Sequence, residues 1–199
     1  PNTGGMGCFT PSKKVNKKLE KKILDKVINK TISGLRKEKI DYRGILFFGL
    51  MINKNEPFVI EYNVRFGDPE CQTLLRTLES DLLEILLATS SNQLSSIKIK
   101  KNYDSVICVV LAANGYPDSY EKNKLIENIE KAEKIEGIEI FHAGTKKLSN
   151  KIFSEGGRVL SITSKAKSLD IAREKAYDAL RIINWEDGFF REDIGIKNY

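Results

Sequence analysis

The sequence predicts an α+β fold, and three stretches are the main reason. Residues 43–52 (RGILFFGLMI) form a continuous apolar run typical of a buried strand, and residues 57–65 alternate as a half-buried strand does. The turn Asn53–Glu56 joins these two stretches, so together they predict a β-hairpin. In the second half of the chain several short strands precede one well-formed helix, which is typical of a small α+β unit.

Two amphipathic helices flank the predicted hairpin. The first is expected from Pro11 to Lys39, where lysines face a stripe of apolar residues at helical spacing: Val15, Leu19, Ile23, Val27 and Ile32. The second covers residues 74–88, where leucines and Ile85 recur at the same spacing. Just before it, Asp68 suits a helix N-cap and Pro69 suits the first helical position. The sequence therefore predicts a helix start directly after the hairpin.

A polar stretch of small residues, Thr89–Ser96, is the predicted linker. Beyond it the sequence predicts three strands and a helix, in the order Ser105–Ala113, Gly137–His142, Val159–Thr163 and Leu169–Ile183. We therefore expect two domains, residues 1–96 and residues 97–199.

The basic charge of the chain invites comparison with nucleic-acid-binding proteins. The formal net charge is +6, and the lysines concentrate in Lys13–Lys39, Lys98–Lys101 and Lys122–Lys134. These lysines alternate with Glu, Asp and Asn, and no aromatic residues are interleaved for base stacking. We therefore expect a solvated, lysine-rich surface and no nucleic-acid partner. A basic binding module without catalysis is the alternative from a different class.

The sequence contains no apolar run long enough to span a bilayer, so no membrane association is expected. Cys8, Cys71 and Cys108 lack metal-ligand spacing, and their odd number argues against a disulfide framework. We expect them to be small packing residues in a reducing compartment, which favours the cytoplasm. There are no heptads, and we expect a monomer.

The most informative polar residues follow one another along the second hairpin strand. Alternation predicts Phe58, Ile60, Tyr62 and Val64 on one face, and it predicts Glu61, Asn63 and Arg65 on the other. Carboxylate and amide oxygens suit a hard divalent cation, and an arginine suits a phosphate. The pattern predicts a site for a nucleotide phosphate with its magnesium. The alternative is a ladder of salt bridges on an exposed sheet face.

Three further features have both a functional and a structural interpretation. The chain opens with a glycine-rich loop, residues 1–7, whose backbone could approach an anion or only form a turn. Arg158 follows two glycines and either meets a ribose phosphate or pairs with a carboxylate. His142 is the only histidine; at the end of a strand it is either structural or a substrate contact.

The ordered motifs of the chain resemble the phosphoribosylamine–glycine ligase (glycinamide ribonucleotide synthetase) family of the ATP-grasp superfamily. The first half contributes Pro1–Gly7, Tyr42-Arg43-Gly44, Gly49-Leu50-Met51 and the run Glu61–Glu70 (EYNVRFGDPE). The second half continues the series with residues 112–117 (AANGYP), 141–145 (FHAGT), 156–160 (GGRVL) and 190–195 (FREDIG). The resemblance covers essentially the whole chain, in order, and the ordered set is specific for the family.

The resemblance implies an ATP-dependent carboxylate–amine ligase that joins glycine to 5-phosphoribosylamine, through glycyl phosphate, in purine biosynthesis. It implies that Glu61 and Asn63 bind Mg²⁺ or Mn²⁺, with Arg65 near the phosphates of ATP, and that Arg65 and Asp68 take part in catalysis. The implied substrate-binding residues lie at the chain start, in the loop after the hairpin and at Arg158: Asn2, Thr3, Gly4, Gly5, Met6, Gly7, Gly67, Asp68, Pro69, Glu70 and Arg158. A plain helix cap remains the alternative for Asp68.

The same resemblance implies that the chain corresponds to the C-terminal half of the ATP-grasp domain and to the small domain after it. The N-terminal Rossmann-like domain and the lid over ATP have no counterpart in the sequence. We therefore expect a fragment that needs the missing N-terminal portion of the same enzyme and is inactive alone. A ligase of the same superfamily acting on another acid and amine is the second functional hypothesis.

Overall fold

The computed structural model describes residues 5–196. Its helices are α1 (Lys17–Ile23), α2 (Asn29–Lys37), α3 (Glu70–Thr77), α4 (Leu82–Ser90), α5 (Ile129–Ala132) and α6 (Leu169–Ile182). Its strands are β1 (Gly7–Thr10), β2 (Phe47–Asn53), β3 (Glu56–Asn63), β4 (Ser105–Ala113), β5 (Leu125–Ile126), β6 (Ile138–His142), β7 (Thr145–Leu148), β8 (Lys151–Ser154), β9 (Arg158–Ala166) and β10 (Gly188–Phe189). A π-helical turn, Leu24–Ile28, connects α1 to α2. The α+β prediction is confirmed.

The described chain divides into two compact units. We call residues 11–67 and 78–101 the hairpin unit, and residues 5–10, Asp68–Thr77 and 102–196 the sheet unit. This division by compactness differs from the predicted boundary between residues 96 and 97, because β1 and α3 pack on the sheet formed by the second half of the chain. The predicted domain boundary itself stays a prediction.

In the hairpin unit, the first helix is shorter than the sequence predicts. It begins at Lys17 and not near Pro11, because Asn16 is the N-cap and its Oδ1 accepts a hydrogen bond from the Leu19 amide at 3.0 Å. Leu19 of α1 and Val27 of the π-helical turn are the buried apolar residues of this stretch. Hydrogen bonds connect this stretch to the hairpin: the Glu56 carboxylate accepts one from Nζ of Lys22 in α1 and one from Nζ of Lys26 in the π-helical turn.

The predicted helix over residues 74–88 is wrong, because two helices occupy this region. α3 ends at Thr77, and Asp81 caps α4 by accepting from the Glu84 amide at 2.9 Å. Between them Ser80 Oγ accepts from the Lys100 amide at 2.8 Å. Short polar side chains favour caps and turns over helix interiors, which explains the break.

The sheet unit is built on a five-stranded sheet in which β1, β4, β9 and β6 follow one another and β10 also pairs with β4. These pairs are antiparallel. β4 has the bounds that the sequence predicts, and all of its residues are buried. A second, three-stranded sheet has the order β5-β8-β7.

The two faces of the five-stranded sheet are covered differently. On one face α6 packs against an apolar core that includes Ile107, Val109, Leu160 and Ile162. On the other face α3 contacts β1, β4 and β9, and the residues buried there include Thr73, Cys108 and Ser161, with Cys8 partly buried beside them. This second face brings the chain around Asp68 beside the sheet. Within residues 5–196, none of the helices is both long and apolar enough to cross a membrane.

Candidate functional site

Glu61 and Asn63 lie side by side on β3, as strand alternation predicts. Asn63 donates from Nδ2 to Glu61 Oε1 at 3.1 Å. Their register partners on β2 are Phe47, opposite Asn63, and Gly49, opposite Glu61. The Glu61 side chain is exposed to solvent and Asn63 is partly exposed. We call these two residues the Glu61 pair.

A β-bulge next to the Glu61 pair changes which residues share its face. Glu61 is opposite Gly49, whereas Val59 is opposite Leu50, so Ile60 is the extra residue on β3. Phe58, opposite Met51, therefore lies on the face of Glu61 and not with Tyr62. The predicted apolar face of Phe58, Ile60, Tyr62 and Val64 is wrong for this reason. Tyr62 instead packs edge-on against Phe48, with ring centroids 5.3 Å apart.

Gly49 gives the Glu61 side chain its space. A Cβ built at Gly49 would stand 2.7 Å from Glu61 Cγ, which is closer than real Cβ atoms approach a neighbour. Any side chain at position 49 would therefore displace Glu61. The sequence marked Gly49 only as part of a motif; its role here depends on the register, which the sequence pattern does not contain.

Arg65 lies beyond the end of the strand. β3 ends at Asn63, because its partner Phe47 is the first residue of β2, so Val64 and Arg65 have no strand opposite them. The predicted strand over residues 57–65 therefore extends two residues beyond the observed end of β3. Arg65 donates from Nη1 to the carbonyl of the next residue, Phe66, at 2.6 Å. Among the described residues no ion pair links Arg65 to Glu61, which disfavours the salt-bridge ladder.

The chemistry of the Glu61 pair fits a hard divalent cation. A carboxylate and an amide offer oxygen ligands, and rotating the Asn63 amide would turn Oδ1 towards the same side as the Glu61 carboxylate. Within residues 5–196 no cluster of three or more His, Cys, Asp or Glu side chains could hold a metal. A hard cation here would have two protein oxygen ligands and would need further oxygen ligands to complete its shell.

In the sheet unit, several of the predicted substrate-binding residues lie together. Arg158, the first residue of β9, donates from Nη2 to Asp68 Oδ2 at 2.8 Å and from Nη1 to the Asp68 carbonyl at 3.0 Å. The same Nη1 donates to the Gly5 carbonyl at 3.2 Å. Gln72 donates from Nε2 to Asp68 Oδ1 at 3.2 Å. We call Gly5, Asp68, Gln72 and Arg158 the Asp68 cluster. Of the two interpretations of Arg158, a ribose phosphate or a carboxylate, the structure shows the pairing with a carboxylate.

The residues next to the Asp68 cluster have mostly structural contacts. The side chains of Met6 and Pro69 are fully buried, so any contact of theirs with substrate would involve the backbone. Gly7 begins β1, opposite Val109, and Glu70 is the first residue of α3. Gly67 is buried at the end of the hairpin unit. The predicted residues Asn2, Thr3 and Gly4 lie outside the described residues.

His142 ends β6 and forms a hydrogen bond through Nδ1 with Thr145 Oγ1 at 2.9 Å. Both atoms are near the solvent surface, and the bond spans the tight connection to β7. This contact favours the structural interpretation of His142.

The three cysteines are held in the protonated form. Burial raises the pKa of the Cys8 thiol to about 12, against a smaller opposing effect of its hydrogen bond with Thr73 Oγ1 at 2.7 Å. Burial also raises the pKa values of Cys71 and Cys108. Protonated thiols are poor nucleophiles and poor metal ligands, so these residues act in packing.

The sequence pattern assigned no site role to Gly49, which it marked only as part of a motif, and it did not single out Gln72. Gln72 had a usable signal, because it follows Asp68 by four positions, the spacing at which side chains meet on a helix. No sequence signal indicates the Arg158–Asp68 pair, since the two residues are 90 positions apart.

Comparison with known proteins gives the class of this fold. Residues 1–71 match the family model described as phosphoribosylglycinamide synthetase, ATP-grasp (A) domain, and residues 106–197 match phosphoribosylglycinamide synthetase, C domain. The solved biotin carboxylase from Campylobacter jejuni has the same fold, with a TM-score of 0.66 at 14% identity over 96% of this chain and 42% of that chain. The chain has the ATP-grasp fold.

More similar proteins give the family. The chain is 48% identical to the chloroplastic phosphoribosylamine–glycine ligase of Arabidopsis thaliana, over 98% of this chain and 37% of that protein. It is 42% identical to the enzyme of that name from Brucella melitensis, over 98% of this chain and 46% of that protein. The solved phosphoribosylamine–glycine ligase from Thermotoga maritima superposes with a TM-score of 0.82 at 35% identity, over 98% of this chain and 47% of that chain.

The chain belongs to the phosphoribosylamine–glycine ligase family, which confirms the resemblance seen in its motifs. It spans less than half the length of these relatives.

Proposed function

We propose that this chain is part of an ATP-dependent ligase that joins glycine to 5-phosphoribosylamine and yields glycinamide ribonucleotide, ADP and phosphate. The observation that supports this most strongly is the match along 98% of the chain to relatives bearing the name phosphoribosylamine–glycine ligase. Because the chain spans less than half of each, the ligase would need the portion that those relatives have in addition. We propose a monomeric, cytoplasmic enzyme.

The reaction we propose has two steps, because a carboxylate is a poor electrophile. First a glycine carboxylate oxygen attacks the γ-phosphorus of ATP, the bond to the bridging oxygen breaks, and ADP leaves with that electron pair. The amine nitrogen of phosphoribosylamine then attacks the carbonyl carbon of glycyl phosphate. Phosphate leaves with the electrons of the C–O bond, and the nitrogen loses a proton. Phosphoryl transfer of this kind depends mainly on neutralised charge and alignment.

In this proposal the Glu61 pair would hold Mg²⁺ or Mn²⁺, which, when bound, neutralises charge on the phosphate oxygens. Arg65 would contribute a permanently charged guanidinium to a phosphoryl oxygen. Its present bond to the Phe66 carbonyl uses Nη1 and leaves the other nitrogens of the fork for such a contact. Asp68 would face the amine of phosphoribosylamine, since a carboxylate accepts hydrogen bonds from an N–H group and repels a phosphate. The glycine-rich residues 2–7 and Gly67 to Glu70 would border the substrates.

The test uses the natural protein that contains this sequence, at its full length. We expect ADP release that depends on both glycine and 5-phosphoribosylamine, with glycinamide ribonucleotide detected by mass spectrometry. Hydroxylamine added in place of the amine should yield glycine hydroxamate if glycyl phosphate forms. ADP release with another carboxylic acid and not with glycine would overturn the substrate assignment.

The metal assignment has its own test in the double variant Glu61→Ala, Asn63→Ala. We expect this variant to lose Mn²⁺ binding and most of its activity, because both proposed protein ligands are gone. Activity equal to that of the unmodified protein would overturn the proposed role of the Glu61 pair.

A further inference from the structure

The guanidinium of Arg158 contacts two segments that are far apart in the sequence. It reaches both the carboxylate and the carbonyl of Asp68, and it also reaches the carbonyl of Gly5. Asp68 and Gly5 lie in the region that matches the ATP-grasp domain, whereas Arg158 lies in the region that matches the C domain. A residue of one family domain therefore fixes part of the proposed substrate site of the other.

The Asp68 carboxylate is held at both of its oxygens. Gln72 donates to Oδ1 and Arg158 donates to Oδ2, while the side chain remains 51% exposed. A carboxylate has about four acceptor positions, so it can still accept a hydrogen bond from a substrate while its orientation is fixed. Asp68 is thus a fixed acceptor that faces solvent.

Gly5 is pressed against the same turn. Its φ is +93°, in the left-handed region, and a Cβ there would stand 2.6 Å from Pro69 Cδ and 2.8 Å from the Asp68 carbonyl oxygen. Arg158 Nη1 donates to the carbonyls of Gly5 and Asp68 together. The arginine therefore locks the described end of the glycine-rich run onto the Asp68–Pro69 turn.

These contacts leave Arg158 poorly suited to bind a substrate phosphate. Its side chain is 23% exposed, and its charge is already compensated by the Asp68 carboxylate. A phosphate approaching the guanidinium would also meet that carboxylate as a like charge.

We propose that Arg158 is a positioning residue that acts through Asp68: it orients the Asp68 carboxylate towards the amine of the acceptor and holds the Gly5 segment beside it. The proposal rests on the ligase function proposed above. It assigns Arg158 no contact with substrate. Lysine cannot replace it, because one ammonium group lacks the planar fork that reaches a carboxylate and two carbonyls together.

The experiment is a double-variant cycle of Arg158→Lys and Asp68→Asn in the full-length natural protein. We expect Arg158→Lys alone to lower kcat by about 10-fold to 100-fold, since small displacements of a catalytic group cost this much. The KM for ATP should stay unchanged. In the Asp68→Asn background, Arg158→Lys should have little further effect, because the group through which it acts is already altered.

The matched control is Arg181→Met. Arg181 is another arginine of the sheet unit with a carboxylate partner, Asp178, at 2.7 Å, but the pair lies on the exposed surface of α6. We expect this variant to keep its kcat. If Arg158→Lys and Asp68→Asn multiply independently, or if Arg158→Lys raises mainly the KM for phosphoribosylamine, Arg158 binds substrate directly and the proposal is overturned.

A second measurement separates this proposal from the ligase function. Hydrogen exchange of the Met6 and Gly7 amides should accelerate at least 10-fold in Arg158→Lys and not in Arg181→Met, whether or not the protein has ligase activity. Unchanged exchange would overturn the locking role of Arg158. If the unmodified protein releases no ADP but exchange is still faster in Arg158→Lys, the ligase function is overturned and the locking role of Arg158 stands.

Discussion

Glu61 occupies space on the hairpin that exists because its partner Gly49 has no side chain. The Glu61 Cγ lies 2.7 Å from the point where a Cβ at Gly49 would stand. Gly49→Ala should therefore push Glu61 away from Asn63 and weaken divalent cation binding. We expect about a 10-fold to 100-fold loss of affinity, the effect typical of disturbing the groups that orient a metal ligand. A Mn²⁺ titration in the presence of ADP, followed by electron paramagnetic resonance, measures it.

The control for this substitution is Gly34→Ala. Gly34 lies in α2, and a Cβ there would meet no atom within 4 Å beyond its chain neighbours and the backbone of its own helix. Alanine is the better helix former, so this variant should be slightly more stable and should bind Mn²⁺ normally. If Gly49→Ala also binds Mn²⁺ normally, the space beside Gly49 is not needed for Glu61 to bind the metal, which contradicts this prediction.

The stabilisation of the hairpin unit by the ion pairs of Glu56 with Lys22 and Lys26 should depend on pH. Hydrogen bonds from Lys22 and Lys26 lower the pKa of the Glu56 carboxyl from 4.5 to about 2. Because the pKa is lower in the folded state, this contribution to stability is complete above pH 4.5 and is lost as the pH falls towards 2. We expect thermal unfolding of the hairpin unit to move to lower temperature across this window. Differential scanning calorimetry at a series of pH values would measure the change.

Glu56→Gln identifies the group responsible. This variant cannot form the ion pairs with Lys22 and Lys26, so it should be less stable at pH 7 and should lose part of the acid dependence. Glu174→Gln, at an exposed position of α6, should leave both properties unchanged. An acid transition of the hairpin unit that is the same in Glu56→Gln and in the unmodified protein would contradict this explanation.

The strand β4 and the Glu61 pair could be predicted from the sequence because they depend on local pattern. β4 is apolar after Ser105 since both of its faces are covered. Glu61 and Asn63 share a face because every second side chain of a strand points to the same side. The bulge at Ile60 could not be predicted, because it depends on how β2 pairs with β3. This pairing places Gly49 directly opposite Glu61 on the neighbouring strand.

Other features depend on contacts over long sequence distances. The partner of Arg158 lies 90 positions away, so the sequence left both a phosphate and a carboxylate open as its partner. The helix predicted over residues 74–88 failed because Ser80 and Asp81 have better partners outside a continuous helix, in Lys100 and Glu84. The family resemblance supplied roles for residues, but the geometry that joins Asp68 to Arg158 and Gln72 came only from the structure.

The Cys8 thiol should resist alkylation in the folded protein. Its pKa of about 12, against an ordinary value of 9.0, lowers the thiolate fraction at pH 8 by about a thousandfold. Iodoacetamide labelling followed by peptide mass spectrometry should therefore show far slower modification of Cys8 in buffer than in guanidinium chloride. Labelling of Cys8 at the same rate in both conditions would show that its burial and its bond to Thr73 do not protect it.

The α6 face of the sheet unit should account for much of that unit's stability, and Ile162 is the residue to test. Its side chain is fully buried in the core, on β9 between Val109 of β4 and Ile140 of β6. Ile162→Ala should lower the free energy of unfolding by about 2–5 kcal/mol, because it removes apolar contacts and leaves a cavity. Ile171→Ala, at a site on α6 that is 46% exposed, should cost less than about 1 kcal/mol.

Trp185, the only tryptophan, belongs to the same core, so its fluorescence during guanidinium unfolding reports on this unit. Equal losses for the two variants would mean that the core between the sheet and α6 is not the main source of stability.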